Sequence, residues 1–276
     1  MKRSALMSLV SEIKSETKAE RSASETLKKI IDDYCKTDEF RKYLQTHRAE
    51  AGDYLEDATT PPGEYRYRAS SAGKCLQAQA FKVVAKQLPL PLDKVVRSAE
   101  NQRALYNGTF MHMRYHMMFD ALHEKGIVFT HAKEERHYDA ESSVTGGIDR
   151  LIEFDYAGGR VSGVIDMKSI KSFNYGRLVQ PEAAHEAQQA CYRLLGFNAD
   201  RWFMLYEDKD THALKIYDLP YREGAVDDLR ARYKRADEWI EAYIQSNQLP
   251  KLELDTQWCN WCEYQTVCGL VNVDAK

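Results

Sequence analysis

The sequence predicts an α/β protein with a helical layer at its N-terminal end. Three observations carry this prediction: a long amphipathic segment at Ala99–Glu124, a block of strand-like segments after it, and renewed helical periodicity at Pro181–Gly196 before another strand. From residue 99 the predicted order is therefore helix, three strands, helix and strand. Elements in this mixture are expected to pack as layers around a hydrophobic core.

The composition limits the class of protein. The chain has 276 residues, of which 43% are hydrophobic and 29% charged, enough for one large domain or two ordinary ones. Its 39 Lys and Arg and 42 Asp and Glu give a net charge of −3, which is not the balance of an obvious nucleic-acid-binding protein. No apolar run approaches the roughly 18–20 residues of a membrane-spanning helix, and no secretory signal is evident. We expect no membrane association and a cytoplasmic location, or the host cytoplasm for a phage-encoded chain.

The first 60 residues are expected to form a helical accessory region, followed by the main domain at residues 61–276. Ser22 and Glu25 predict a capping box at the start of the second helix. The two prolines and the glycine of Thr59–Gly63 mark a candidate linker. The apolar residues at helical spacing are Leu6, Val10 and Ile13, and then Leu27, Ile30, Ile31 and Tyr34.

A short helix after the linker is predicted to end near Lys86. Gly73 and Lys74 just before it superficially resemble a phosphate-binding loop, but Cys75 stands where that loop requires Ser or Thr. We therefore exclude an ATPase motor. The next helix, at Ala99–Glu124, is expected to carry on one face Leu105, Tyr115, Phe119 and Leu122.

The strand block contains a tight hairpin. Gly158 and Gly159 predict a two-residue turn, because glycine tolerates positive φ at both turn positions. The predicted strands are Ile127–Tyr138, Gly147–Tyr156, Arg160–Ser169, Arg201–Tyr206 and Leu214–Leu219, and a charged helix covers Gly224–Ser246. The basic residues of this last region are expected to form mostly a solvated face; they are Arg222, Arg230, Arg232, Lys234 and Arg235.

The hairpin places acidic side chains on adjoining strands. Asp149 lies near the start of the second strand, and Asp166 and Lys168 lie on the third. Because strand side chains alternate with a period of two, Asp166 and Lys168 project from the same face. Ile165 and Met167 are expected to point the other way, into a core. The alternative interpretation is a simple Lys–Asp salt bridge on a half-exposed sheet.

A divalent cation would explain why two carboxylates stand on neighbouring strands. Close anions repel and raise one pKa unless a cation neutralises them, and carboxylate oxygens suit Mg²⁺ or Mn²⁺. His112, on the long helix, is a further candidate ligand, the alternative being a histidine packed among apolar neighbours. Gln188 and Tyr192 are four residues apart on the following helix and share a face.

With these residues in this order, the sequence resembles the PD-(D/E)XK nuclease superfamily, and within it the RecB-type exonucleases. The resemblance covers roughly residues 70–270 and implies a restriction-endonuclease-like core. Asp166 stands where glutamate is commoner, a variant that RecB-type members accept. The implied catalytic residues are Asp149, Asp166, Lys168, Gln188 and Tyr192, and the implied metal ligands are His112, Asp149, Asp166 and the main-chain carbonyl of Met167.

The cysteines suggest a second metal group. Cys259, Cys262 and Cys268 form a tight C-terminal trio, and Cys75 is the candidate fourth ligand. Four thiolates suit a 4Fe-4S cluster or tetrahedral zinc, and spacing alone does not separate the two. The pattern resembles the iron–sulfur branch of the RecB-type nucleases, which includes the AddB nuclease domain and the CRISPR-associated iron–sulfur exonucleases. This resemblance favours an iron–sulfur cluster that acts as a structural clasp.

The expected function is therefore metal-dependent hydrolysis of DNA from its ends, most readily single-stranded ends. The alternatives are a structure-specific DNA endonuclease of the same superfamily and a non-catalytic DNA-end-binding subunit. DNA is the expected partner, and proteins of recombination, repair, replication or CRISPR pathways are further candidates.

Overall fold

The computed structural model describes residues 22–47, 65–93, 99–133, 135–246 and 255–272. The predicted helix around Leu6 and the candidate linker at Thr59–Gly63 lie outside these ranges. The helices are α1 (Ala23–Cys35), α2 (Glu39–Thr46), α3 (Leu76–Val84), α4 (Ala99–Glu124), α5 (Ser172–Arg177), α6 (Ala183–Leu194), α7 (Ala225–Ser246) and α8 (Gln265–Asn272), with 3₁₀ turns at Ala69–Ser71 and Thr256–Trp261. The strands are β1 (Tyr67–Arg68), β2 (Val128–Lys133), β3 (Arg136–Asp139), β4 (Val144–Gly147), β5 (Arg150–Tyr156), β6 (Gly159–Ile170), β7 (Arg201–Asp208) and β8 (Leu214–Asp218).

The described strands form a five-stranded sheet in the order β2-β5-β6-β7-β8 and a smaller sheet in the order β1-β4-β3. In the larger sheet β6 and β7 run parallel, and the other neighbours are antiparallel. The predicted order of helix, strands, helix and strand is confirmed, because α4 precedes the hairpin of β5 and β6, and α6 connects β6 to β7. The helix between parallel neighbours is the expected crossover connection.

Two of the predicted strands are each divided between the two sheets. Ile127–Tyr138 is wrong as a single strand, since β2 belongs to the larger sheet and β3 to the smaller one. Gly147–Tyr156 is likewise wrong, since Gly147 ends β4 and β5 begins at Arg150. The chain changes sheets within a few residues at both places, so the alternation of apolar and polar residues in the sequence gives no sign of the change.

The position of the hairpin turn also differs from the prediction by one residue. Tyr156 pairs with Gly159, which leaves Ala157 and Gly158 as the two turn residues. Both have positive φ, 50° and 77°, as a type I′ turn requires. Ala157 therefore has a positive φ, a backbone conformation that is unfavourable for a residue with a Cβ atom.

The larger sheet has a core on each face. Along β6 and β7, Val164, Trp202, Met204 and Tyr206 face a layer of α3, α6 and α7, whereas Ile165, Met167, Phe203 and Leu205 face α1 and α4. The predicted inward orientation of Ile165 and Met167 is confirmed, since both are fully buried. Every second residue of β6 therefore points toward α6.

The helix α1 is part of the second of these cores. Its predicted capping box is confirmed, with Ser22 and Glu25 bonding reciprocally across the first turn. Leu27, Ile31 and Tyr34 are buried against α4 and the sheet. Removing α1 would therefore expose apolar surface beneath the sheet.

The helix α4 is buried along only part of its length. Tyr115, Phe119 and Leu122 are buried, whereas Leu105, predicted to share their face, is 51% exposed. The described side chains between Arg103 and Phe110 are mostly exposed, so this face of α4 is outside the core at Leu105. Arg114 and the Tyr115 hydroxyl both donate hydrogen bonds to the buried Glu207 of β7. These bonds fix α4 near the N-terminal end of its buried part.

We expect Ala157→Asn to stabilise the protein by about 0.5–1 kcal/mol, because Asn-Gly suits a type I′ turn better than Ala-Gly. Gly158→Ala puts a Cβ atom at the second residue with positive φ. It should therefore have the opposite effect and lower the free energy of unfolding by about 1–2 kcal/mol. Urea unfolding of both variants measures the difference. Equal stabilities would show that the turn does not carry this strain.

Candidate active site

The predicted site residues meet where the β5–β6 hairpin approaches α6. Asp166 and Lys168 lie on the face of β6 that is turned toward α6, as the alternation predicts. The last pair of the β5–β6 ladder is Arg150 with Ile165, so Asp149 and Asp166 each adjoin the end of this ladder. The charge of Asp149 acts directly on the Asp166 carboxyl group.

Asp149 is held by the partner strand and by α4. Its Oδ2 accepts a hydrogen bond of 2.6 Å from the Met167 amide, and its Oδ1 lies 3.4 Å from His112 Nδ1. The role expected of Met167 involves its carbonyl, whereas this contact uses its N–H group. His112 therefore reaches the hairpin from the exposed end of α4, as the sequence predicts.

Asp166 is fully buried and has contacts on both carboxylate oxygens. Its Oδ1 accepts hydrogen bonds from Gln188 Nε2 at 3.0 Å and from the Tyr192 hydroxyl at 2.9 Å. Its Oδ2 forms an ion pair with the Lys168 ammonium group. The Gln188 amide also donates to the Tyr192 hydroxyl at 2.5 Å, so both α6 residues act on the same carboxylate.

The two carboxyl groups have pKa values displaced in opposite directions. Burial, opposed by Lys168 and reinforced by the charge of Asp149, raises the pKa of Asp166 above its usual value. Burial would also raise the pKa of Asp149, but His112, Lys168 and the Met167 amide outweigh it and lower this pKa. Two carboxylates with environments that separate their pKa values are typical of catalytic sites.

The donor chemistry of this group fits a hard divalent cation. Within the part of the chain that the structure describes, no three His, Cys, Asp or Glu side chains converge closely enough to hold a single metal ion. Each carboxylate already has a nitrogen group of the protein beside it, His112 for Asp149 and Lys168 for Asp166. A metal ion would compete with these groups for the same oxygens.

A buried arginine next to Asp149 fixes α4 on the hairpin. Arg150 is fully buried, and its guanidinium group donates to His116 Nδ1 at 3.0 Å, to the His116 carbonyl at 2.5 Å and to Asp120 at 2.5 Å. His116 lies one helical turn after His112, so this contact sets the height of α4 above β5. Sequence reasoning missed Arg150, although it directly follows Asp149.

His185 is a second residue that sequence reasoning missed. It lies one turn before Gln188 on α6, and its Nδ1 is 2.8 Å from the hydroxyl of Tyr206, the residue paired with Lys168 on β7. Burial, together with the charges of Lys168 and Lys74, lowers the pKa of His185 to about 4. The spacing of three from Gln188 is the sequence signal that would have found it.

The four predicted cofactor ligands line one cavity of about 290 Å³; they are Cys75, Cys259, Cys262 and Cys268. None of them is in a disulfide. Burial and the neighbouring charges of Cys75 and Cys259 raise the pKa of Cys262, which places the three thiols within electrostatic reach of one another. Tyr264, also at this cavity, is buried and its ring stacks on Phe81.

Two other expectations concern the surface. On α7 and just before it, Arg222 pairs with Asp228 and Arg230 with Asp227, as expected of a solvated face. None of the helices among the described residues is long and apolar enough to cross a membrane.

The family model of the PD-(D/E)XK nuclease superfamily matches residues 15–269. Because this match spans most of its length, the chain belongs to the PD-(D/E)XK nuclease superfamily. The match begins before α1, and thus earlier than the span of residues 70–270 taken from the resemblance. No curated protein is significantly similar to the chain.

Several solved structures are similar in fold. SSO0001 is 16% identical, with a TM-score of 0.42, and the match covers 84% of this chain and 94% of that one. LHK-Exo in complex with dAMP is 13% identical, with a TM-score of 0.47 and coverages of 66% and 91%. The alkaline exonuclease LHK-Exo from Laribacter hongkongensis is 11% identical, with a TM-score of 0.40 and coverages of 64% and 89%. Because these TM-scores are below 0.5, the family assignment rests on the family model alone.

We expect Arg150→Met to destabilise the protein by about 3–5 kcal/mol, because it leaves Asp120 and His116 without the buried guanidinium group. Arg222→Met is the matched control, since it removes the same charge from a pair exposed on both sides and should cost less than about 1 kcal/mol. Urea unfolding gives both values. A similar small loss for both variants would contradict the role assigned to Arg150.

Proposed function

We propose that the protein is a metal-dependent DNA exonuclease that hydrolyses phosphodiester bonds, acting mainly on single-stranded ends. The observation that carries the proposal is the buried Asp166, held by Gln188, Tyr192 and Lys168 beside the second carboxylate of Asp149. Membership of a nuclease superfamily supports the reaction class. The resemblance to RecB-type exonucleases supports cytoplasmic action on DNA ends in recombination or repair.

Each site residue has a distinct task in this proposal. Asp149, Asp166, His112 and the Met167 carbonyl would hold Mg²⁺ or Mn²⁺, ions that prefer oxygen ligands. When bound, the cation supplies positive charge against the phosphate and Lewis acidity toward the attacking water. Gln188 and Tyr192 hold the Asp166 carboxylate in one orientation through their two hydrogen bonds.

Lys168 is proposed to act on the attacking water and on the reacting phosphate. Burial would lower the pKa of Lys168, but Asp166 and Asp149 outweigh it and raise the pKa. The ammonium group therefore stays charged near the carboxylates. It orients the water and offsets negative charge that develops on the phosphate in the transition state.

We also propose a structural 4Fe-4S cluster at the four cysteines. The thiols border one cavity, and joining Cys75 to the trio of Cys259, Cys262 and Cys268 would close most of the chain into a loop. Such closure is worth about 4–5 kcal/mol relative to the unfolded chain. Zinc is the less favoured alternative: four thiolates suit either group, and the resemblance to the iron–sulfur branch of the RecB-type nucleases favours the cluster.

We expect Asp166→Asn and Lys168→Ala each to reduce Mg²⁺-dependent hydrolysis by at least about 100-fold, because each removes charge from the reacting centre. Release of nucleotides from end-labelled single- and double-stranded DNA, with and without Mn²⁺, measures the rate. Asp155→Asn is the matched control, since this exposed carboxylate lies on the same hairpin, away from the site.

Covalently closed circular DNA, which offers no ends, should stay intact in the same assay. Cleavage of the circles would favour the endonuclease alternative, and the absence of nucleotide release by the parent protein would favour a DNA-end-binding subunit. Parental rates in Asp166→Asn would contradict the assigned site.

We expect anaerobically purified protein to contain iron and labile sulfide and to absorb broadly in the visible range. Cys268→Ser should lose both features and unfold at a lower temperature. Cys35→Ser is the control, because Cys35 is exposed and lies on α1. Zinc in place of iron in the parent, or full iron content in Cys268→Ser, would overturn the cluster.

A further inference from the structure

Lys74 is an exposed cation that the proposed chemistry does not use. It lies directly before Cys75, at the N-terminal end of α3. It forms no ion pair with any Asp or Glu that the structure describes. By contrast, lysines of the N-terminal helices and their caps pair with acids, such as Lys36 with Asp33 and Lys42 with Glu39.

The backbone before Lys74 is fixed against the helix that carries the site residues. A Cβ atom on Gly73 would come within 2.2 Å of the Ala184 Cα, so only glycine permits this approach to α6. Ala184 lies one turn before Gln188, whose amide bonds to Asp166. The Lys74 carbonyl is also held, by Arg232 at 2.5 Å and Gln79 at 3.2 Å. Lys74 is therefore presented from a rigid segment beside the proposed active site.

The electrostatic surroundings of Lys74 are positive. Lys168 and Lys82 are the charged groups that act on Lys74, and both are cations. Lys74 in turn contributes to the lowered pKa of His185. Cations that repel one another on a protein with a net charge of −3 are costly unless an anion binds between them.

Lys82 continues this positive surface along α3. Ala78 and Lys82 are four residues apart on α3 and share one side of the helix, and Ala78 borders the cysteine cavity. Lys74 precedes the helix by two residues, at the end from which this side begins. Lys82 is exposed, and it too has no ion pair with a described carboxylate. At the other end, Lys74 Nζ lies 5.9 Å from the centre of the half-buried Trp258 ring, also at the cavity.

We propose that Lys74 and Lys82 bind phosphates of a single DNA strand and carry it from the active site along α3, past the cysteine cavity. The proposal rests on the proposed nuclease function and extends it to the path of the substrate. Phosphates are the anions that a nuclease brings to this surface. Trp258 offers an aromatic ring beside Lys74 on which a base of the same strand stacks.

The test is the salt dependence of binding to a single-stranded oligonucleotide. Fluorescence anisotropy in buffer without Mg²⁺ or Mn²⁺ gives Kd over a range of NaCl concentrations while hydrolysis is absent. Removing one cation that neutralises a phosphate of a single strand reduces the slope of log K against log salt by about 0.7. Lys74→Ala/Lys82→Ala should therefore reduce the slope by about 1.4, twice that amount, and Lys74→Arg/Lys82→Arg should retain the parent slope.

Lys36→Ala/Lys42→Ala is the matched control, because it removes the same two charges from paired lysines of the N-terminal helices. An equal change of slope in this control would show that the effect comes from net charge alone, and it would overturn the proposal. An unchanged slope in Lys74→Ala/Lys82→Ala would overturn it too. If Lys74→Ala/Lys82→Ala reduced the slope for duplex DNA but not for the single strand, the assignment to a single strand would be wrong. Hydrolysis by the parent in Mg²⁺, measured in parallel, tests the nuclease function separately.

Discussion

The pairing of two carboxylates at the start of the β5–β6 hairpin constrains the rest of the molecule. Asp149 and Asp166 would repel each other in a buried place, so their charges have to be compensated from several directions. Lys168 from the same strand, His112 from α4 and the two hydrogen-bond donors of α6 provide this compensation. Three separate elements are thereby required to meet at one point.

The part of the site that follows from local periodicity could be predicted. A period of two on β6 puts Asp166 and Lys168 together, and a period near four on α6 does the same for Gln188 and Tyr192. Both patterns depend only on backbone geometry. For the same reason the capping box at Ser22 and the order of the core elements could be predicted from sequence.

What could not be predicted depends on long-range packing. The chain moves from the smaller to the larger sheet between Gly147 and Arg150, and no residue type in that segment indicates the move. The exposure of Leu105 depends on how much of α4 packs against the core, which the helical periodicity does not show. Arg150 was missed because its meaning depends on His116 and Asp120, some thirty residues earlier in the chain.

The attachment of α4 also has a mechanical consequence. The helix is fastened at Arg114 and Tyr115 to Glu207 and at His116 to Arg150, and its described side chains from Arg103 to Phe110 are mostly exposed. His112 lies within one turn of these contacts, whereas Leu105 lies further toward the N-terminal end of the helix. A contact that displaces the N-terminal turns therefore moves Leu105 much more than the His112 imidazole, so that His112 keeps its distance from Asp149.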